Sequence, residues 1–265
     1  VIQVEGLAFS RQGKRIIEPL SFTISDGSVW GVVGPNGSGK TTLLRLLYGA
    51  LCPEAGVVRI NGRPLGSLAR RVIARQVAVV TQNENPESAL SIADSVMLGR
   101  IPHRRALQAP SVRDYQACAD ALERVGVAEL ADRPASQVSG GEAQRALIAR
   151  AVAQEAEHIL LDEPTNHLDI RHQHEVLTTV RELGATVVIV LHDLNLAATY
   201  CDTVLLLDGG RSVACGTPTE VLTAAHLEPV YRVSVDVLIR ANGRPHLVLG
   251  ERPLPHLPNS ERKTA

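Results

Sequence analysis

The sequence predicts an α/β fold, a mostly parallel sheet wrapped by helices, and three observations carry that prediction. The first is a set of short apolar runs, Val29 to Val33, Val77 to Thr81, Ile159 to Asp162 and Thr186 to Leu191, each placed before a helical stretch. The second is a glycine-rich turn that leads from Val33 into the helical pattern of Thr41 to Tyr48. The third is a change of rhythm: from Ile92 to about Gln154 the alternation stops, and amphipathic helical segments take over, notably Val112 to Val125 and Gly140 to Ala153.

The first run supplies a buried strand, and the residues before it, Val1 to Gly6, alternate apolar and polar like a strand. The helical stretch reads as a subdomain, about 92–154, inserted into the sheet core. Pro102 and Pro110 mark where it begins, and Pro134 lies in the loop before Val138 to Gly141. Beyond Gly216 a helix and a short strand pair around Asn242-Gly243 are expected. One domain over 1–250 and a loose proline-containing tail over 251–265 complete the organisation.

At 265 residues and 45% hydrophobic, the chain can bury a substantial core. Lys plus Arg (27) nearly cancels Asp plus Glu (28), which speaks against a nucleic-acid partner. The most apolar stretch, Ala185 to Leu191, is seven residues long, whereas a membrane-spanning helix needs about twenty. The first residues lack the basic start and apolar core of a secretion signal. Cys52, Cys118, Cys201 and Cys215 stand far apart with no C-x-x-C pair, so reduced thiols are expected rather than a zinc or disulfide framework.

Gly34-Pro35-Asn36-Gly37-Ser38-Gly39-Lys40-Thr41 fits G-x-x-x-x-G-K-[ST] and stands between strand and helix, the context that pattern requires. Glycine lets the backbone turn its N–H groups inward around phosphates, and the helix beginning near Lys40 adds its positive end. Lys40 is expected to reach the β- and γ-phosphates, the Thr41 hydroxyl to ligate Mg²⁺, and Thr42 to complete the loop's hold. The run Ile159-Leu160-Leu161 ends in Asp162 and Glu163, two acids that would be costly to bury unless a cation or a reactive water met them. Asp162 fits a carboxylate acting on Mg²⁺ through its water, and Glu163 a general base for water attacking the γ-phosphate.

Val138-Ser139-Gly140-Gly141-Glu142-Ala143-Gln144-Arg145 resembles the signature of ABC ATPases, usually L-S-G-G-Q-x-Q-R, and precedes Asp162 by about twenty residues as in that family. Gln82 at a strand end, Asn166-His167-Leu168-Asp169 after Pro164, and His192 at another strand end follow in family order. The resemblance, which covers roughly Val1 to Leu249, implies a P-loop NTPase core with a mixed, mostly parallel sheet, an N-terminal antiparallel β subdomain and an inserted α-helical subdomain. It also implies ATP and Mg²⁺ as ligands and a head-to-tail homodimer. Gln82 would then contact Mg²⁺ and the attacking water, and His192 the γ-phosphate and Glu163. Asp169 would cross the dimer interface, and Ser139, Gly140, Gly141 and Glu142 would meet ATP held by the opposite subunit.

Val138 and Glu142 depart from the usual leucine and glutamine. The adenine-stacking aromatic has no clear counterpart; its place falls on Arg11, with Phe9 two residues earlier. Leu98-Gly99-Arg100-Ile101-Pro102-His103 and His192-Asp193-Leu194-Asn195-Leu196-Ala197-Ala198 are similar to ATPases of iron-siderophore, haem and cobalamin importers. Arg100 and His103 also fit plain structural roles where the insert begins. That branch implies permease subunits docking near 81–104, a periplasmic or surface binding protein acting indirectly, and a place at the cytoplasmic side of the membrane. A soluble ABC ATPase without a membrane partner is the alternative. His172 and His174, two apart, cannot share a helical face and read as solvated.

Overall fold

The computed structural model describes residues 1–81, 90–105 and 107–250. Gln82 and the tail 251–265 lie outside them. β1 (Ile2–Arg11) and β2 (Lys14–Ile24) form an antiparallel hairpin, and β3 (Val29–Val33) leaves it for the second sheet and runs into α1 (Lys40–Leu47). The chain then returns through β4 (Ala55–Ile60), which pairs antiparallel with β1, and the short β5 (Arg63–Pro64). Next come α2 (Arg70–Gln76) and β6 (Val77–Val80).

The helical stretch holds α3 (Ile92–Met97), α4 (Val112–Val125) and α5 (Gly140–Ala153). Alternation resumes with β7 (His158–Asp162), α6 (Ile170–Glu182), β8 (Thr186–Val190) and α7 (Leu194–Tyr200). β9 (Thr203–Asp208) and β10 (Arg211–Gly216) make a hairpin, followed by α8 (Pro218–Val221), α9 (Ala224–Tyr231) and the antiparallel pair β11 (Ser234–Ile239) and β12 (Pro245–Gly250).

The central sheet has six strands in the order β10-β9-β3-β8-β7-β6, parallel except at the β9–β10 edge. Every residue of β3, β7 and β8 is buried, because helices and the N-terminal sheet cover both faces and leave no polar side. Alternate residues therefore serve two cores. Trp30 and Val32 pack with α1 and the N-terminal sheet, while Val29 and Val33 pack on the side of α3 to α7. The apolar faces of α3, α4 and α5 belong to that second core and do not form one of their own.

Arg100 fixes the helical stretch. It is 1% exposed, within a 3₁₀ turn over Leu98–His103. Its Nε meets Asp114 at 3.0 Å, and its Nη1 meets Glu155 at 2.7 Å and the Ala153 carbonyl at 2.6 Å. One guanidinium thus ties the start of α4 to the end of α5, and Asp114 also caps α4 through Ser111. Of the two roles the sequence left open for Arg100, the structure selects the structural one. Arg100→Met should lower unfolding free energy by about 3–5 kcal/mol, because Asp114 stays buried without its cation. A urea midpoint shift at unchanged slope is the measurement, and a shift near zero would contradict the clamp.

Candidate nucleotide site

Positive φ angles at Gly34 (150°), Gly37 (78°) and Gly39 (104°) curl residues 34–39 between β3 and α1. At Gly34 a Cβ would lie 2.1 Å from the Leu207 carbonyl oxygen and 2.7 Å from Ser38 Oγ, so only glycine fits. Two further contacts brace the loop: Gly210 N–H donates to Ser38 O at 3.0 Å, and Glu18 N–H donates to Gly210 O at 2.9 Å. The Asp208-Gly209-Gly210 turn joining β9 to β10 thereby pins the loop to both sheets. Sequence reasoning missed this turn, although an Asp-Gly pair between two apolar runs is a hairpin signal.

Lys40 is buried at the head of α1, and its Nζ donates to the carbonyls of Gly34 (2.9 Å) and Pro35 (3.0 Å). Burial pushes its pKa down, opposed by the nearby Glu163 and Asp162 carboxylates. Ser38 Oγ is buried with no hydrogen-bond partner among the described residues. Asn36 and Gly37 are exposed at the tip of the loop. A tightly curled glycine loop, a buried ammonium and an unused hydroxyl suit a polyphosphate.

Asp162 closes β7 beside this loop and accepts a hydrogen bond from Thr41 Oγ1 at 3.2 Å. Burial raises its pKa, and the Thr41 hydroxyl works against that rise. The two oxygens are hard donors of the kind Mg²⁺ takes. Glu163 follows with φ 54°, a left-handed conformation that costs a non-glycine residue about 1–3 kcal/mol. Its Oε1 meets His192 Nε2 at 2.5 Å, and its Oε2 accepts from Asn166 Nδ2. His192 comes from the end of β8, so the ends of two adjacent strands deliver the pair. An almost buried carboxylate held on both oxygens in a strained backbone is an oriented group rather than a helix cap.

Ser139, Gly140, Gly141 and Glu142 open α5. Ser139 is its N-cap, and Glu142 Oε2 accepts from Ser139 N–H at 2.7 Å and from its Oγ at 2.8 Å. Those bonds hold the Glu142 carboxyl below the usual carboxylate range, so it is ionised at neutral pH. Gly141 lies under the His172 ring, where a Cβ would come within 2.6 Å. Asp169 caps α6 and accepts from His172 N–H at 2.9 Å. His172 is thus packed against the start of α5 and only half-buried there, while His174 is exposed, as the sequence suggests, with its Nδ1 meeting the Tyr200 hydroxyl at 2.7 Å. Among the described residues, no hydrogen bond joins the Ser139 loop to the glycine loop. Phe9 packs against the core and Arg11 is exposed at the β1–β2 turn.

A strand–glycine loop–helix cradle with a buried lysine, beside two acids at the end of the next strand but one in the sheet, defines a P-loop nucleoside triphosphatase. The family described as ABC transporter matches residues 17–166. The chain belongs to this family, and it is an ABC ATPase that binds ATP. It is 42% identical over 248 residues to the hemin import ATP-binding protein HmuV of Pseudomonas entomophila (strain L48), a match covering 91% of this chain and 95% of that protein. Among solved structures, it resembles an inward-facing metal-chelate type ABC transporter, with TM-score 0.82 and 30% identity over 94% of this chain and 96% of the other. It also resembles a dimeric ATP-binding cassette in a post-hydrolysis state with ADP and Pi, with TM-score 0.71 and 25% identity over 82% of this chain and 99% of the other.

Proposed function

We propose that this chain powers haem import as a homodimeric ATPase docked on separate permease subunits at the cytoplasmic face of the membrane. The cargo rests on the likeness to hemin import proteins over nine-tenths of the chain. The dimer reading is supported by one observation: among the described residues, no hydrogen bond joins the start of α5 to the glycine loop. Two copies head to tail would bring Ser139, Gly140 and Gly141 of one onto the γ-phosphate held by the other, with Asp169 at the contact between them.

In that arrangement residues 34–42 hold the phosphates, with Lys40 turning from its loop carbonyls to the β- and γ-oxygens. Thr41, Asp162 and Gln82 are the groups that would hold Mg²⁺, Asp162 through water, and the bound ion would offset charge on those oxygens. Glu163 takes a proton from the attacking water, whose oxygen bonds the γ-phosphorus as the bridging bond to ADP breaks. His192 holds Glu163 in line and meets the γ-phosphate. With Phe9 engaged in the core, Arg11 is the better placed group to stack on adenine.

Docking falls near 81–104. An open groove of about 700 Å³ beside that segment is lined by Arg70, Arg71, Ile101, Pro102 and Leu107, and Ile101 is 59% exposed. Haem uptake into proteoliposomes carrying the chain and a haem permease from its own genome is the test. The reading expects uptake that requires hydrolysable ATP. Stable assembly with a siderophore or cobalamin permease instead, and transport of that cargo, would overturn it.

A further inference from the structure

The capping contact at Ser139 has a chemical cost in the closed dimer, and this inference rests on that dimer. Among the described residues, three helices begin with the same reciprocal box: Ser111 with Asp114, Ser139 with Glu142, and Thr217 with Glu220. At α4 and α8 the box simply satisfies a helix end. At α5 the box engages Ser139, whose hydroxyl, in the closed dimer, is one of the donors offered with Gly140 and Gly141 to a phosphate of the opposite subunit. A full negative charge sits on the N–H and Oγ of Ser139 at 2.7 and 2.8 Å. A carboxylate and a phosphate cannot share that hydroxyl without strong repulsion.

We infer that Glu142 is a competitor built into the signature: its carboxylate occupies the hydroxyl that Ser139 offers to phosphate and sets how much ATP is needed to close the dimer. A route away exists. Glu142 borders an open cleft of about 750 Å³ with Arg145, Arg171 and His172, and Arg145 stands one turn along the same helix. Arg145 is held there by Glu175 at 2.8 Å. Rotating toward Arg145 exchanges two neutral donors for a cation and leaves Ser139 to the phosphate. Glutamine at this position keeps an acceptor for the cap and carries no charge to be displaced, so the substitution separates competition from capping.

The experiment measures ATP-driven dimerisation by light scattering with hydrolysis blocked by Glu163→Gln. Adding Glu142→Gln is expected to lower the half-maximal ATP concentration about fivefold, the difference between a charged and a neutral acceptor on the same donors. The gap should narrow as salt is raised from about 0.05 to 0.5 M, since screening weakens carboxylate–phosphate repulsion. Glu142→Asp, which keeps charge and box as in α4, should need as much ATP as the parent. An unchanged or higher ATP requirement for Glu142→Gln, or a gap insensitive to salt, overturns the inference. Dimers that form equally with either residue refute the competitor alone; no dimer from any of these proteins refutes the closed-dimer reading as well.

Discussion

Glu163→Gln is expected to cut ATP turnover by roughly 10²–10⁴-fold, the range lost when a positioned general base is removed. ATP affinity should stay within about threefold, since the amide keeps the size of the carboxylate and binding falls to the glycine loop. The structure makes the site specific. One oxygen of Glu163 is committed to His192 at 2.5 Å and the other to Asn166, so the carboxylate is fixed before any nucleotide arrives. The amide can still accept from one of those partners but cannot take the proton of the attacking water. Phosphate release at saturating ATP is the measurement, and near-normal turnover would remove Glu163 from the role of base.

Lys40→Ala should weaken ATP binding about 100-fold, the worth of charge-assisted hydrogen bonds made in a buried setting. Its Nζ already lies within the cradle, on two loop carbonyls at 2.9 and 3.0 Å, and has only to turn from them to the phosphate oxygens. Burying that ammonium is itself unfavourable, and burial pushes its pKa down. The variant should therefore keep the melting temperature of the nucleotide-free protein within a few degrees while losing most of the shift that ATP induces. Calorimetric titration with ATP would decide, and affinity within threefold of the parent would contradict the assignment.

Much of the fold was legible because the decisive signals are local. Strands buried on both faces write themselves as continuous apolar runs, and the runs at Val29 and Thr186 became β3 and β8. The helices Val112–Val125 and Gly140–Ala153 kept the bounds their apolar periodicity gives, since Ser111 and Ser139 cap them. The glycine loop and the two acids stood out for the same reason: each is a short pattern in a defined context.

What stayed hidden depends on residues far apart. Nothing local says that Gly210 braces Ser38 across the two sheets, or that Asp114 and Glu155 converge on Arg100. The apolar run is read from Ile159, yet His158 before it is the fully buried first residue of β7. The strained backbone of Glu163 has no sequence signal, because no residue type marks a left-handed glutamate. Gln82, at the end of β6 by sequence, lies outside the described residues.

The central claim is that one chain supplies the cradle and another the cap on the same ATP. Sedimentation of the Glu163→Gln protein with saturating ATP and Mg²⁺ reads this directly. The account predicts a particle of twice the 28.4 kDa chain that returns to single chains when ATP is withdrawn. A particle that stays at 28.4 kDa with ATP bound, also when the permease is present, would contradict it.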